Sequence, residues 1–136
     1  MNALRITFKT GRFNLSKVGE NFINPCCFGE DVAAWLRRKL TERNIRTREP
    51  HQEDWGWELP AQSGDQSYYL CMAGNADDPA TNPDDGEWGI IVEKTRTMWQ
   101  RLTGSAKIAA DDPMLLMIEE ILSAQPGISE IRLEED

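Results

Sequence analysis

The sequence predicts a single α+β domain over residues 1–136, built as a two-layer sandwich with two helices on one face of a mainly antiparallel sheet. Two segments carry apolar residues at helical spacing, and several others alternate apolar and polar residues as half-buried strands do. Short turns join most of the strand segments, which favours antiparallel pairing. The predicted order of elements is β-α-β-β-β-β-α-β, and the single apolar stripe of each helix would cover one face of the sheet.

The first strand and the first helix come earliest in the chain. Residues 4–9 alternate Leu4, Ile6 and Phe8 with polar side chains, which predicts a half-buried strand. The helix is predicted over residues 29–44, with acidic residues in its first turn and basic residues in its last turns, as the helix dipole favours. Its apolar stripe consists of Val32, Ala33, Leu36 and Leu40.

Four strands are predicted between the two helices. Residues 45–49 form a short one that ends at Pro50, which has no amide hydrogen to donate to a ladder. The other three are residues 55–59, 67–73 and 87–93. The sequence Ser63-Gly64-Asp65-Gln66 supplies turn residues between two of them. Residues 75–85 are the clearest loop, and residues 95–102 are ambiguous.

The second helix has clear start and stop signals. Asp111 or Asp112 can cap it, and Pro113 suits the first helical position. The sequence Gln125-Pro126-Gly127 ends it, and a final strand is predicted from Ile128, Ile131 and Leu133.

Composition and charge exclude several classes of function. The 136 residues carry a formal net charge of −8, which argues against nucleic acid and anionic membrane surfaces as ligands and is compatible with a basic protein partner. Charged residues interrupt the N-terminal stretch, so no secretory signal is predicted and a cytoplasmic location is expected. The three cysteines are expected to be reduced.

One candidate site lies between the first two strands that follow the first helix. The sequence His51-Gln52-Glu53-Asp54-Trp55-Gly56-Trp57 contains the only histidine, two adjacent carboxylates and two tryptophans. His51 could carry a proton with Glu53 or Asp54 orienting it, or could join carboxylates around a metal ion. The competing interpretation is a polar turn that leads into a strand whose tryptophans are core residues, and no cofactor or metal is predicted.

Two other groups of residues are candidate chemical sites. Cys26 and Cys27 precede the first helix, where a thiol could be reactive. The competing interpretation is that these two residues and Cys71 are buried as small hydrophobic side chains. The acidic loop at residues 75–85 lacks the spacing of an EF-hand calcium site. We therefore predict that it is solvated or that it contacts a basic partner. The glycines form no phosphate-binding motif.

The tryptophans have two possible roles. Trp55, Trp57 and Trp88 fall on predicted strands, with Trp55, Trp57 and Leu59 on one face. Tryptophan is enriched at binding hot spots, and it is also a large core residue that fills space in a small domain. The sequence is compatible with a binding role and with a core role for these tryptophans.

Three stretches of the sequence share a pattern with other proteins. They are Ile23-Asn24-Pro25 with the following Gly29 and residues 32–36, then Glu53-Asp54-Trp55-Gly56-Trp57, and finally Trp88-Gly89-Ile90-Ile91-Val92-Glu93. This combination resembles a group of small uncharacterised bacterial proteins in which an Asn-Pro helix start precedes a Glu-Asp-Trp-Gly-Trp strand. The resemblance implies the same order of elements over about residues 22–133, and it implies no activity.

The function expected from the sequence is a non-enzymatic protein-interaction module, of an immunity or regulatory type. An acidic and tryptophan-rich surface would bind a basic partner, and its candidate residues are His51, Glu53, Asp54, Trp55, Trp57 and Trp88. The alternative is a small enzyme or small-ligand-binding domain with His51, nearby carboxylates and Glu93 in a pocket. A third possibility is an oligomeric structural domain whose sheet face is buried between subunits.

Overall fold

The structure, a computed structural model, describes residues 3–13, 29–74, 86–95 and 108–135. Within these ranges the chain forms a sheet of seven strands and two helices, which confirms the predicted α+β class. The elements are β1 (Ala3–Thr10), α1 (Glu30–Glu42), β2 (Arg46–Thr47), β3 (His51–Glu53), β4 (Gly56–Ser63), β5 (Gln66–Gly74), β6 (Glu87–Lys94), α2 (Pro113–Ala124) and β7 (Ile128–Glu135).

Every strand pair in the sheet is antiparallel. The strand order is β2-β4-β5-β6-β1-β7, and β3 pairs with the same edge of β4 as β2 does. The structure has one strand more than the sequence predicts, because the polar residues His51, Gln52 and Glu53 indicate a turn by their composition and form a strand in the structure. They form β3 because Pro50 only interrupts the edge strand, whose pairing with β4 resumes at His51.

One face of the sheet carries the hydrophobic core. Ile6, Leu59, Leu70 and Ile90 are fully buried at alternating positions of four neighbouring strands. Buried residues of both helices belong to the same cluster, so α1 and α2 cover this one face, as predicted. The cluster supplies most of the stabilisation, since each fully buried large apolar side chain contributes about 1.5–3 kcal/mol.

Helix α1 ends in a Schellman motif. Asn44 adopts φ 64°, its amide donates to Thr41 O, and the amide of Ile45 donates to Leu40 O. Ile45 and Leu40 are both buried, which is the apolar contact that accompanies this motif. The motif leads the chain directly into β2. Arg37 of α1 then donates a hydrogen bond of 3.1 Å from Nε to Oγ1 of Thr47 in β2.

Helix α2 begins as the sequence predicts. Asp112 is the capping residue, and its carboxylate accepts a hydrogen bond of 2.9 Å from the amide of Met114. Pro113 occupies the first helical position. Neither α1 nor α2 is long and apolar enough to cross a membrane.

The second face of the sheet carries no helix within the described residues. Its strand residues alternate with those of the core, so Arg5, Glu58, Tyr69 and Ile91 point away from the two helices. We call this surface the open face. The predicted loop at residues 75–85 and the ambiguous residues 96–102 lie outside the described residues, so the open face is defined here by its strands alone.

Candidate functional site

The register of the sheet aligns side chains in rows across the open face. The central row contains His51, Glu58, Cys71, Ile91, Arg5 and Glu134, one from each of six strands. Residues directly opposite each other on antiparallel strands have Cβ atoms about 4.5–5.5 Å apart, so each member of the row lies beside the next. The row therefore brings a histidine and a glutamate from adjacent strands into direct contact at the sheet's edge.

A tight hairpin places the charged residues at that edge. Asp54 and Trp55 form the two-residue turn between β3 and β4, and this turn fixes the pairing of His51 with Glu58. His51 and Glu53 lie two positions apart on β3, so their side chains share the open face. Three side chains, two from one strand and one from its partner, thus converge.

The imidazole of His51 lies between two carboxylates. Its Nε2 atom is 3.1 Å from Oε1 of Glu53 and 3.4 Å from Oε1 of Glu58. The side chains of His51 and Glu53 are 49% and 43% exposed, whereas that of Glu58 is 19% exposed. Glu58 therefore lies on the protein side of the group, and His51 and Glu53 lie on its solvent side.

The environment of Glu58 disfavours its ionised form. Burial is the largest effect and raises the pKa of this carboxyl above its ordinary value of 4.5. The negative charges of Glu53 and Glu93 raise the pKa further, and the His51 imidazole opposes them. The negative charge crowded around Glu58 would be relieved by a cation bound beside it.

Tyr69 lies next to this carboxylate group. On the open face it is directly opposite Glu93 on one side and Pro60 on the other, and its side chain is 41% exposed. Glu58 is on the same strand as Pro60 and two positions before it, which puts it diagonally across from the tyrosine. Two residues with carboxylate side chains therefore neighbour Tyr69 on the open face, Glu93 directly opposite and Glu58 on the diagonal.

Two depressions open on this face. A groove of about 590 Å³ is lined by Arg46, Arg48, His51, Glu58 and Tyr69, among others, so it is basic at one end and acidic at the other. A smaller cavity of about 290 Å³ lies over the small residues Cys71, Ala73 and Gly89, with Trp55 and Arg5 among its walls. The face is thus concave at two neighbouring places.

Four of the six predicted site residues lie at the surface. His51 and Glu53 come together as described, Asp54 is exposed in the turn, and Trp55 is 45% exposed beside the smaller cavity. The sequence placed Trp55 on a strand face with Trp57, which is wrong because Trp55 belongs to the turn.

Trp57 and Trp88 are core residues, almost fully buried. They are 2% and 1% exposed, and the ring of Trp88 packs edge-on against Phe13 at a centroid distance of 5.9 Å. Of the two roles that the sequence left open for them, the structure gives them the packing role. The reason is the register: both residues alternate with open-face positions and point toward the helices.

Sequence reasoning missed Glu58 and Tyr69. Both lie on predicted strands, and no local motif distinguishes them from ordinary strand residues. A two-residue turn at Asp54 and Trp55 would have predicted the pairing of His51 with Glu58 by counting outward from the turn. Tyr69 carries a weaker signal, because its neighbour Glu93 lies on β6 and no short turn connects the two strands.

The remaining candidates do not join this site. Cys26, Cys27 and the acidic loop at residues 75–85 lie outside the described residues. Cys71 is buried on the open face, 8% exposed, in agreement with its interpretation as a small hydrophobic residue.

Comparison with known proteins finds no matching family model, no matching curated protein and no matching solved structure. The protein is therefore classified by its own fold, an α+β sandwich in which helices cover one face of the sheet and the other face is open. The feature that characterises the open face is a carboxylate-rich group around His51 and Tyr69.

Proposed function

We propose that this protein is a non-enzymatic interaction module that binds a basic protein partner through its open face. The partner would be a protein that this module neutralises or regulates, as immunity-type and regulatory factors do. The proposal extends to a bacterial cytoplasmic location, which the odd number of cysteines supports.

The observation that carries the proposal is the position of Tyr69 between Glu93 and Glu58. An aromatic ring attracts a Lys or Arg side chain through its negative face, and the interaction contributes about 0.5–2 kcal/mol depending on desolvation. Carboxylates on both sides of the ring add charge-assisted hydrogen bonds to the same cation. Tyr69, 41% exposed, therefore offers the chemistry that recognises a basic side chain.

Trp55 provides a second contact, which is apolar. It is 45% exposed at the rim of the cavity over Cys71 and Ala73, where the floor is made of small side chains. Tryptophan and tyrosine are the residues most enriched at binding hot spots, and they act best beside a concave surface that a partner can fill. The anchors proposed here are therefore Trp55 and Tyr69, in place of the buried Trp57 and Trp88.

The charge of the whole chain favours a basic partner. A net charge of −8 attracts a basic protein from a distance and raises the association rate. Binding should therefore weaken as ionic strength rises, since exposed charges are screened over about 10 Å at 0.1 M salt.

Site-specific photo-crosslinking tests where the partner binds. A photoreactive amino acid is introduced at Gln62, an exposed residue of β4 that lines the same groove as Tyr69, and in a matched variant at Leu116, which is 49% exposed on α2 in the helical layer. We expect the Gln62 position to crosslink one protein of net positive charge and the Leu116 position to give no such product. Equal products from both positions, an acidic product, a crosslinked second copy of the chain, or no product at all would each contradict the proposal.

The affinity of the captured protein for purified variants tests the chemistry. We expect Tyr69→Ser and Glu93→Gln each to weaken binding by at least about fivefold, as truncations that cost more than about 1 kcal/mol do. Glu42→Gln, a surface change on α1, should leave the affinity unchanged and serves as the charge control. Affinity that is insensitive to Tyr69→Ser, or to salt, removes this site as the contact.

A specific observation favours a second candidate, a small-ligand-binding domain. His51 has a carboxylate within hydrogen-bond reach and lines a groove of about 590 Å³, a volume typical of small-molecule sites. Arg46 and Arg48 in the same groove suit an anionic group on the ligand. An NMR titration with inorganic phosphate tests this: shifts confined to Arg46, Arg48 and their neighbours support a ligand site, and the absence of shifts at millimolar phosphate contradicts it.

A further inference from the structure

The side chains of His51, Glu53 and Glu58, at the edge of the open face, are arranged like the ligands of a metal ion. Nε2 of His51 and one carboxylate oxygen each from Glu53 and Glu58 lie within 4.8 Å of one another. The imidazole distinguishes this group from an ordinary patch of surface carboxylates, because histidine is the commonest nitrogen ligand of metals in proteins. We propose that His51, Glu53 and Glu58 bind a divalent transition-metal ion of the zinc type.

The spacing of the three atoms matches the shape of a zinc site. Zinc binds histidine nitrogen and carboxylate oxygen at about 2.0–2.2 Å in a tetrahedron, so neighbouring ligand atoms lie ~3.4 Å apart. Nε2 of His51 is 3.1 Å from the Glu53 oxygen and 3.4 Å from the Glu58 oxygen. Two edges of the tetrahedron are therefore already close to their required length, and the third, between the two carboxylate oxygens, is no longer than 4.8 Å.

The chemical nature of the ligands selects the class of metal. One imidazole and two carboxylates suit zinc and the neighbouring first-row divalent ions, for which nitrogen ligands are favourable. Calcium takes six to eight oxygen ligands and magnesium keeps an octahedral oxygen shell, so a three-residue set that contains His51 suits neither. The two negative charges of Glu53 and Glu58 balance a divalent cation.

The fold holds the ligands in place. All three lie on paired strands, with His51 directly opposite Glu58, and strands position side chains more accurately than loops do. Glu58 is the least exposed of the three, so it anchors the ion on the inner side. His51 and Glu58 also line the groove of about 590 Å³, which leaves the remaining coordination position open to water, as in zinc sites with three protein ligands.

Zinc binding to the purified full chain tests the proposal. Zinc chloride is titrated against a chromophoric chelator in the presence of wild type, His51→Gln, Glu53→Gln, Glu58→Gln and the control Glu42→Gln, with circular dichroism to verify that each variant is folded. We expect one equivalent of zinc per chain in wild type and control, and at least about tenfold weaker binding in each of the three ligand variants. Binding that survives in a folded His51→Gln, Glu58→Gln double variant, or no binding to wild type, overturns the site.

Cobalt substitution identifies the ligand atoms independently. Co²⁺ bound by nitrogen and oxygen gives weak visible bands, whereas cysteine thiolates add an intense near-ultraviolet charge-transfer band. We expect the visible bands without the charge-transfer band, and their loss in His51→Gln. A charge-transfer band would assign the metal to cysteine and contradict the proposal. Because Glu58 belongs to both sites, partner capture is repeated in excess EDTA. Capture that persists without metal leaves the partner contact intact whatever the zinc titration shows, whereas capture that is lost contradicts the metal-independent Tyr69 contact.

Discussion

Tyr68 donates its phenolic hydrogen to the carboxylate of Asp112, whose two oxygens lie 3.0 and 3.2 Å from the hydroxyl. This bond joins β5 to the start of α2, two elements far apart in the chain. Lys94 Nζ lies 3.3 Å from the same carboxylate, and Asp112 also caps α2 through the amide of Met114. One buried carboxylate therefore holds a strand pair and a helix together.

Removal of this carboxylate should destabilise the protein strongly. Asp112→Ala loses a helix cap, worth about 0.5–2 kcal/mol, and leaves a buried hydroxyl unpaired, which costs about 1–3 kcal/mol more. We expect the free energy of unfolding in urea to fall by about 2–4 kcal/mol. Asp111→Ala at the exposed neighbouring position should change it by less than about 0.5 kcal/mol. Equal effects of the two substitutions would show that the network contributes nothing.

The same bond predicts a specific pH dependence. Burial, followed by the hydrogen bond to Asp112 and its charge, raises the pKa of Tyr68 above its ordinary value of 10.0. Because the folded state then holds this proton more tightly than the unfolded state, the associated stability is complete below pH 10 and is lost as the pH rises beyond it. Wild type should therefore lose stability steeply in the alkaline range.

Two tyrosine variants measure this effect. Tyr68→Phe should lower stability at neutral pH by about 0.5–1.5 kcal/mol and should flatten its decline above pH 10. Tyr69→Phe, a change of an exposed residue, should retain the alkaline slope of wild type. Urea unfolding at several pH values checks both. A Tyr68→Phe curve parallel to that of wild type would contradict the assignment.

The two tryptophans of the β3–β4 hairpin should behave differently. Trp57 is 2% exposed, so Trp57→Ala is expected to cost about 3–5 kcal/mol through lost burial and the cavity it leaves. Trp55 is 45% exposed, and Trp55→Ala should change stability by less than about 1 kcal/mol. Thermal or urea unfolding distinguishes them, and similar losses from both would mean that Trp55 is also part of the core.

Gly56 should tolerate no side chain. A Cβ atom at this position would lie 2.3 Å from the backbone oxygen of Met72 on the neighbouring strand, which cannot move without disrupting the ladder. We expect Gly56→Ala to cost about 1–3 kcal/mol, the range for overpacked sites. At Gly89 the added atom would meet Arg5 side-chain atoms at 3.4 Å, an ordinary contact, so Gly89→Ala is the control and should leave the free energy of unfolding almost unchanged.

Much of the fold could be predicted because its signals are local. The alternation of Leu4, Ile6 and Phe8 predicted β1, and Pro113 after Asp112 predicted the start of α2. Burial on one face imposes a period of two on a strand and 3.6 on a helix, so these patterns are visible in the sequence itself. The strand at His51–Glu53 was missed because three polar residues at a sheet edge show no apolar alternation.

The candidate site was less predictable. His51 and Glu53 were identified because histidine is rare and carboxylates beside it suggest chemistry. Glu58 and Tyr69 were not, since their importance comes from neighbours on other strands. The role of Trp57 and Trp88 was undecided for the same reason: tryptophan suits a core and an interface equally, and only the direction of the side chain distinguishes the two.

The sequence by itself determined the class of fold, the positions of both helices and the alternation that defines two sheet faces. Only the tertiary structure decided which residues meet across strands. The physical reason is that apolar periodicity records the burial of each residue along its own element, whereas the pairing of His51 with Glu58 and of Tyr69 with Glu93 depends on hairpin turns and strand register. The Tyr69–Glu93 pairing in particular joins two strands that no short turn connects, so no local pattern in the chain marks it.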